Sequence, residues 1–358
     1  MKEKDYLLAI HSFVYFGSVR LSLLKKYFGS YQKVWDAKNN QLEKIGISTK
    51  LIAKYHAYRE KFDIDSYKNS LKRENVLVVA INDDNYPKKL TNIKYPPLLL
   101  HCKGNIDLFK KRAIAVVGSR KMTSYGRNIA ESFSYELASR GLVIVSGLAR
   151  GIDSVAHKAA LKCGGSTIAV VANGLDRIYP PENRFLYKKI VENNSLIVSE
   201  YPLGYAAFPY NFPVRNRIVS GLSDSILVVE GRKKSGTLTT ASHAADQGKE
   251  VYAVPGDITS QGSEASHFLL KNGAKLADSV ESILEDFNLE KSVTGILNNK
   301  IVLSQVEENL LSTLDSGSLH IDEIVRICSL STSEATGLLS MLELKGAVRC
   351  LGSIYTKV

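Results

Sequence analysis

A chain of 358 residues with 44% hydrophobic and 23% charged content holds enough apolar material for at least one large core, and its length suggests two or three domains. No stretch reaches the roughly 18 apolar residues of a spanning helix, and the opening MKEKDYLLAIHSF lacks the apolar core and cleavage site of a signal peptide, so a cytoplasmic protein without membrane contact is expected. The net charge of +11 is uneven: Lys and Arg outnumber Asp and Glu by 15 to 8 over residues 1–75 and by 27 to 21 over 76–295, and fall short by 5 to 7 over 296–358. The first two segments are therefore the candidates for a polyanionic partner.

The first 75 residues carry helical periodicity in YLLAIHSFVYF, VRLSLLKKYF and STKLIAKYHAYREKF, parted by Gly17, Gly29 and Gly46, and predict a small all-helical domain. From residue 76 the pattern changes to short apolar runs, VLVVAI, AIAVVG, LVIVSG, TIAVVA, LIVS, ILVVE and VYAVPG, separated by amphipathic stretches. That alternation predicts one Rossmann-like α/β domain over 76–287, with a doubly wound, mostly parallel sheet. A linker is expected over 288–304, where NLEKSVTGILNNKIVLS has weak periodicity. Three helical patterns and a terminal hairpin around Gly352 then predict a winged helix over 305–358.

In open α/β sheets ligands bind beyond the carboxyl ends of the strands, and the residues there are glycine-rich and basic. Gly118, Ser119 and Arg120 follow the second run; Gly147, Arg150 and Gly151 lie in the loop after the third; Ser235, Gly236 and Thr237 follow the sixth. Glycine admits close backbone approach to an anion, and a following helix offers free N–H groups and a positive dipole end, so three such loops would make a phosphate-binding rim. Phe212, Arg215, Asn216 and Arg217 add guanidinium, amide and ring, with Glu200 or Glu230 as the alternative, purely structural partner of the arginines. Phe208, Tyr210 and Tyr179 supply π-faces on which bases could stack.

G-x-G-x-x-G is absent and GRKKSGTLTT lacks the lysine of a P-loop, so no nucleotide cofactor is expected. The four cysteines have no CxxC spacing and the histidines no ligand spacing, so neither is a metal. Asp153 and His157, at i and i+4, form with Ser146 or Ser154 a nominal triad, but G-x-S-x-G is missing, and a structural role for the pair fits better.

Taken in order, AVVGSR, SGLARGIDSVAHKAAL, GLDRIYPPEN, SEYPLG, FPVRNRIVSGLSD, SGTLTTASHAADQGKEVYAVPG and KNGAKL resemble the DNA-processing protein A (DprA, or Smf) family over about residues 76–280. The resemblance implies a non-enzymatic, homodimeric protein of natural transformation that binds and shields incoming single-stranded DNA and helps load a RecA-type recombinase. It implies DNA contacts at Ser119, Arg120, Gly147 to Gly151, Arg215, Arg217 and Ser235 to Thr237, with Arg184 as an extension. It also fits an N-terminal domain of the SAM or helix-hairpin-helix kind. The alternative is a nucleotide-processing Rossmann hydrolase working through Asp153 and His157. In the C-terminal segment STSEATGLLSMLELKG sets one lysine against two glutamates, so protein contact is expected there rather than DNA reading.

Overall fold

The computed structural model describes residues 1–233, 235–287, 304–344 and 347–357, in two compact units, 1–290 and 291–358. The linker expected over 288–304 lies, but for Ser304, outside the described residues.

The first unit opens with six helices: α1 (Glu3–His11), α2 (Ser18–Phe28), α3 (Tyr31–Trp35), α4 (Asn39–Glu43), α5 (Thr49–Lys61) and α6 (Ile64–Arg73). Gly29 ends α2 at φ +87°, a left-handed position that glycine adopts without a Cβ clash. α1 stops at His11, short of the periodicity, because the rings beyond it turn inward: Phe13 and Phe16 pack edge to face at 4.9 Å, each about 5 Å from Tyr55 of α5.

The sheet follows, with β1 (Leu77–Ala80), β2 (Leu99–Gly104), β3 (Ala113–Val117), α7 (Ser124–Ser139), β4 (Val143–Ser146), α8 (Ile152–Lys162), β5 (Thr167–Val171), α9 (Arg184–Glu192) and β6 (Leu196–Ser199). It continues through α10 (Asn211–Leu222), β7 (Ser225–Val228), α11 (Gly236–Asp246), β8 (Glu250–Ala253), α12 (Glu264–Lys271), β9 (Lys275–Leu276) and α13 (Glu281–Asp286). The nine strands lie in the order β1-β2-β6-β5-β4-β3-β7-β8-β9. From β6 to β9 neighbours run parallel, while β2 pairs antiparallel with both β1 and β6. The run VLVVAI is thus a strand, but it belongs to an antiparallel extension and not to the parallel sheet.

Parallel strands covered on both faces read as unbroken apolar runs, and all five residues of β3 are buried. Ile114 and Val116 face α7 and α8, whereas Ala115 and Val117 face α10 and α11. The N-terminal helices share a core with α9 and with Val171 and Ile197 of the sheet.

The second unit holds α14 (Gln305–Thr313), β10 (Leu319–His320), α15 (Ile321–Cys328), α16 (Thr332–Leu344), β11 (Val348–Leu351) and β12 (Ile354–Lys357). Gly352 and Ser353, at φ +59° and +71°, join β11 to β12 in a two-residue turn with both central residues left-handed, which matches the strand twist. This is the three-helix, hairpin arrangement of a winged helix. Among the described residues no helix is long and apolar enough to cross a membrane.

Candidate functional site

The chain leaves β3 for β4 on one side, and β7 takes up the sheet on the other, so the crevice between β3 and β7 is a topological switch point. Above its carboxyl edge is a cavity of about 580 Å³. Gly118, Ser119, Arg120, Gly147, Phe212, Arg215, Asn216, Ser235, Gly236 and Thr237 all line it.

Backbone geometry brings the first two loops together. Gly151 sits at φ +77°, and a Cβ there would lie 2.2 Å from the Ser119 carbonyl oxygen, so a side chain would push the loops apart. The N–H of Ile152 donates to that same oxygen at 3.2 Å. The Asp153 carboxylate accepts from the N–H groups of Gly147 at 3.1 Å and Ala149 at 3.3 Å, folding the loop after β4 back onto α8.

Arg215 is buried beneath this loop. Its Nη1 donates to the carbonyl oxygens of Gly147, at 2.6 Å, and Val170, and a Cβ on Gly147 would meet the guanidinium at 2.5 Å. Burial draws its pKa down to about 10, against the attraction of Asp153 and with the repulsion of Arg120. Phe212, one turn earlier on α10, lies near two cations: the Arg120 guanidinium is 5.1 Å from its ring centroid and that of Arg215 is 5.9 Å away. Tyr179 tilts against the same ring at 5.6 Å.

The third loop leads into α11. Ser235 is the N-cap residue, yet its hydroxyl makes no capping bond and is buried without a partner among the described residues, which leaves an O–H group and the start of the helix at the cavity. Asn216 ties this end to α10 by donating to the Gly236 carbonyl at 3.2 Å. Among the described residues Arg120, Lys121, Arg215 and Arg232 line the cavity against one carboxylate, Asp153, so its field favours anions.

Four of the expected residues do not line the cavity: Gly151, which sets the approach of the two loops, and three arginines. Arg217, two residues beyond Arg215 and so turned by about 200° on the helix, points to the opposite side. Its Nη2 donates to both Glu200 carboxylate oxygens at 2.7 and 2.8 Å, and Ser18 of α2 donates to the same carboxylate at 2.6 Å. This is the structural pairing that the sequence left open between Glu200 and Glu230; Glu230 instead accepts from the N–H and hydroxyl of Thr123. Arg150 lines an adjoining crevice with Tyr179 and Pro180, its guanidinium paired at the surface with Glu182. Arg184 opens α9, exposed, and does not line the cavity. Conversely, Lys121 and Arg232 line it without having been singled out; the basic run in GRKKSGT was the available signal for Arg232.

The nominal triad is not assembled. Asp153 is spent on the loop N–H groups, and Ser146 donates to the Val116 carbonyl at 2.7 Å. The single hydroxyl proton of Thr167 goes to the Ile144 carbonyl, so His157 Nδ1 is the donor in its 2.6 Å contact with Thr167. Burial lowers the His157 pKa to about 3, which keeps the ring neutral. Among the described residues no group of three His, Cys, Asp or Glu is placed to hold a metal.

The family model for DNA recombination-mediator protein A matches residues 77–288, and that for the DprA winged helix domain matches 299–352. The chain is 40% identical to protein Smf of Escherichia coli (strain K12) over 257 residues, which is 70% of this chain and 68% of that protein. The X-ray structure of DNA processing protein A from Streptococcus pneumoniae matches with a TM-score of 0.59 and 39% identity, over 65% of this chain and 81% of that one. A structure of DNA processing protein A from Helicobacter pylori, described for its single-stranded DNA binding mode, matches with a TM-score of 0.53 and 30% identity, over 60% of this chain and 97% of that one. By the extent of the family match and by this likeness to its relatives, the chain belongs to the DNA recombination-mediator protein A family.

Proposed function

We propose that this protein binds single-stranded DNA in the cavity at the switch point, without strong sequence preference, and works in natural transformation by shielding incoming strands and helping to load a RecA-type recombinase. The observation that carries the reading is the exposed Arg120 over the Phe212 ring beside the start of α11, whose N-cap hydroxyl makes no capping bond: a phosphate-binding cation and donors next to aromatic side chains. The Helicobacter pylori relative, described as binding single-stranded DNA, supports it. Ser119, Arg120, Asn216 and Ser235 to Thr237 then contact phosphate, Arg150 reaches the strand from its surface pair with Glu182, and Arg215 holds the loop from Gly147 to Gly151 in place. Arg217 serves the fold.

The same reading makes residues 1–75 a helical domain, 76–287 the DNA-binding domain and 305–358 a winged helix that contacts protein. It takes the protein to be a cytoplasmic homodimer with a binding role and no catalytic one, since the polar atoms of a hydrolase are committed elsewhere. The test is a titration with oligonucleotides of increasing length, single- and double-stranded, at two salt concentrations. Affinity that rises with strand length, falls with salt and favours the single strand is expected; equal affinity for a duplex of the same length, or turnover of a mononucleotide, contradicts it.

A further inference from the structure

Beside the cavity lies a larger trough of about 1260 Å³, between the N-terminal helices and the start of α10. The two have Pro213 in common, at the start of α10. The walls of the trough are rich in rings. Tyr15 and Tyr27 stand on the helical side, both at least half exposed, and Tyr201 and Tyr205 on the sheet side.

The loop between β6 and α10 bridges trough and cavity with a ladder of aromatic side chains. Tyr201 stacks on Tyr205 at 4.8 Å and 6°, Tyr205 meets Phe208 edge-on at 5.6 Å, and Phe208 stacks on Tyr210 at 5.4 Å and 4°. Phe212, at the cavity, follows two residues later. The loop is anchored: Gly174 donates to the Tyr205 carbonyl at 2.9 Å and Gly204 to Asp176 at 2.8 Å. Yet Phe208 is 41% and Tyr210 63% exposed, so ring faces are offered to solvent on a fixed backbone.

The charge of the trough suits a polyanion. Its one carboxylate among the described residues, Glu200, is spent on Arg217 and Ser18, whereas Arg20 lines the wall and Lys54 Nζ sits 4.7 Å above the Tyr15 ring. The surrounding 75 residues carry the excess of 15 basic over 8 acidic side chains.

We propose that the trough and its aromatic ladder are a second, base-stacking stretch of the strand site, so that DNA leaving the cavity passes over Tyr210 and Phe208 and lays its next bases between Tyr205 and the Tyr15 wall. Every base has a π-face, so such a stretch lengthens the site without adding sequence preference. The proposal rests on the strand reading of the cavity and adds that the N-terminal helices take part in binding.

The experiment titrates labelled oligothymidylates of about 4 and about 12 nucleotides against wild type, Phe208→Ala/Tyr210→Ala and Tyr15→Ala, with melting curves for each. The altered rings are exposed, Tyr15 in the trough and Phe208 and Tyr210 on the loop that leads to it, and the melting curves report whether each variant folds. The short strand is expected to bind all three proteins alike, and the long strand to lose about tenfold or more in each variant. Unchanged affinity for the long strand in both variants overturns the extension and returns the trough to a protein partner. Equal losses at both lengths overturn it as well, by assigning the rings to the cavity. Failure of either strand to bind wild type defeats the cavity reading itself.

Discussion

The two sides of α10 use the same side chain for opposite ends. On the cavity side, the exposed Arg120 lies over Phe212 and, among the described residues, makes no ion pair with a carboxylate, while the N-cap Ser235 of α11 makes no side-chain capping bond. On the other, Arg217 is closed onto Glu200 and Ser18 and joins the helical region to the sheet. Charge left without a carboxylate partner around a concave surface marks a place for a ligand; charge neutralised within hydrogen-bond distance and buried marks a place where the fold is held.

Breaking the second side costs most. Arg217→Ala leaves Glu200 buried without its cation and is expected to destabilise the protein by about 3–5 kcal/mol in chemical denaturation, with the folded fraction binding DNA at wild-type affinity. A loss of affinity with unchanged stability would move Arg217 into the site.

Acid should act on the fold through three buried histidines. Burial depresses His11 to about 4, opposed by Glu200, and His101 to about 3, assisted by its neighbour His11; His157, near Arg215, also falls to about 3. As pH falls below about 6.5 the unfolded rings take up protons that the folded rings refuse, so stability is fully present above that pH and lost toward pH 4. The expected slope is about 1.4 kcal/mol per pH unit for each histidine, read from denaturation midpoints at pH 7, 6 and 5. Replacing His101 by Asn should flatten it.

On the cavity side the effects fall on binding. Phe212→Ala is expected to weaken single-strand affinity by about 1–3 kcal/mol, the cost of a lost stacking partner. Ser235→Ala should cost about 1 kcal/mol of affinity and leave the melting temperature unchanged, since the hydroxyl has no partner in the free protein. A marked drop in melting temperature would show that the hydroxyl serves the fold.

Much of the frame was legible because buried parallel strands have no polar alternation to confuse them: β3 to β8 stand where the apolar runs are. β2 was hidden because LLHCKG ends in Lys and Gly after a proline-rich lead-in, and its antiparallel pairing follows no βαβ pattern. α6 was hidden because IDSYKNSLKR buries Leu71 and little else. At the site, glycine and arginine after the strands located the cavity, since strand ends converge by topology. Which arginine found a carboxylate was not legible, because Glu200 and Glu230 lie in different loops and the choice is made by the direction in which α10 faces. The trough was not legible either, for it arises where the helical region meets the loop after β6 and the start of α10.

The central claim is that Arg120 is held for a phosphate. Single-strand affinity measured against salt for wild type and Arg120→Ala, with melting curves alongside, tests it most directly. The account expects weaker binding, a slope of log affinity on log salt flatter by about 0.7, and an unchanged melting temperature. An unaltered slope with early melting would contradict it and assign the exposed guanidinium to the fold.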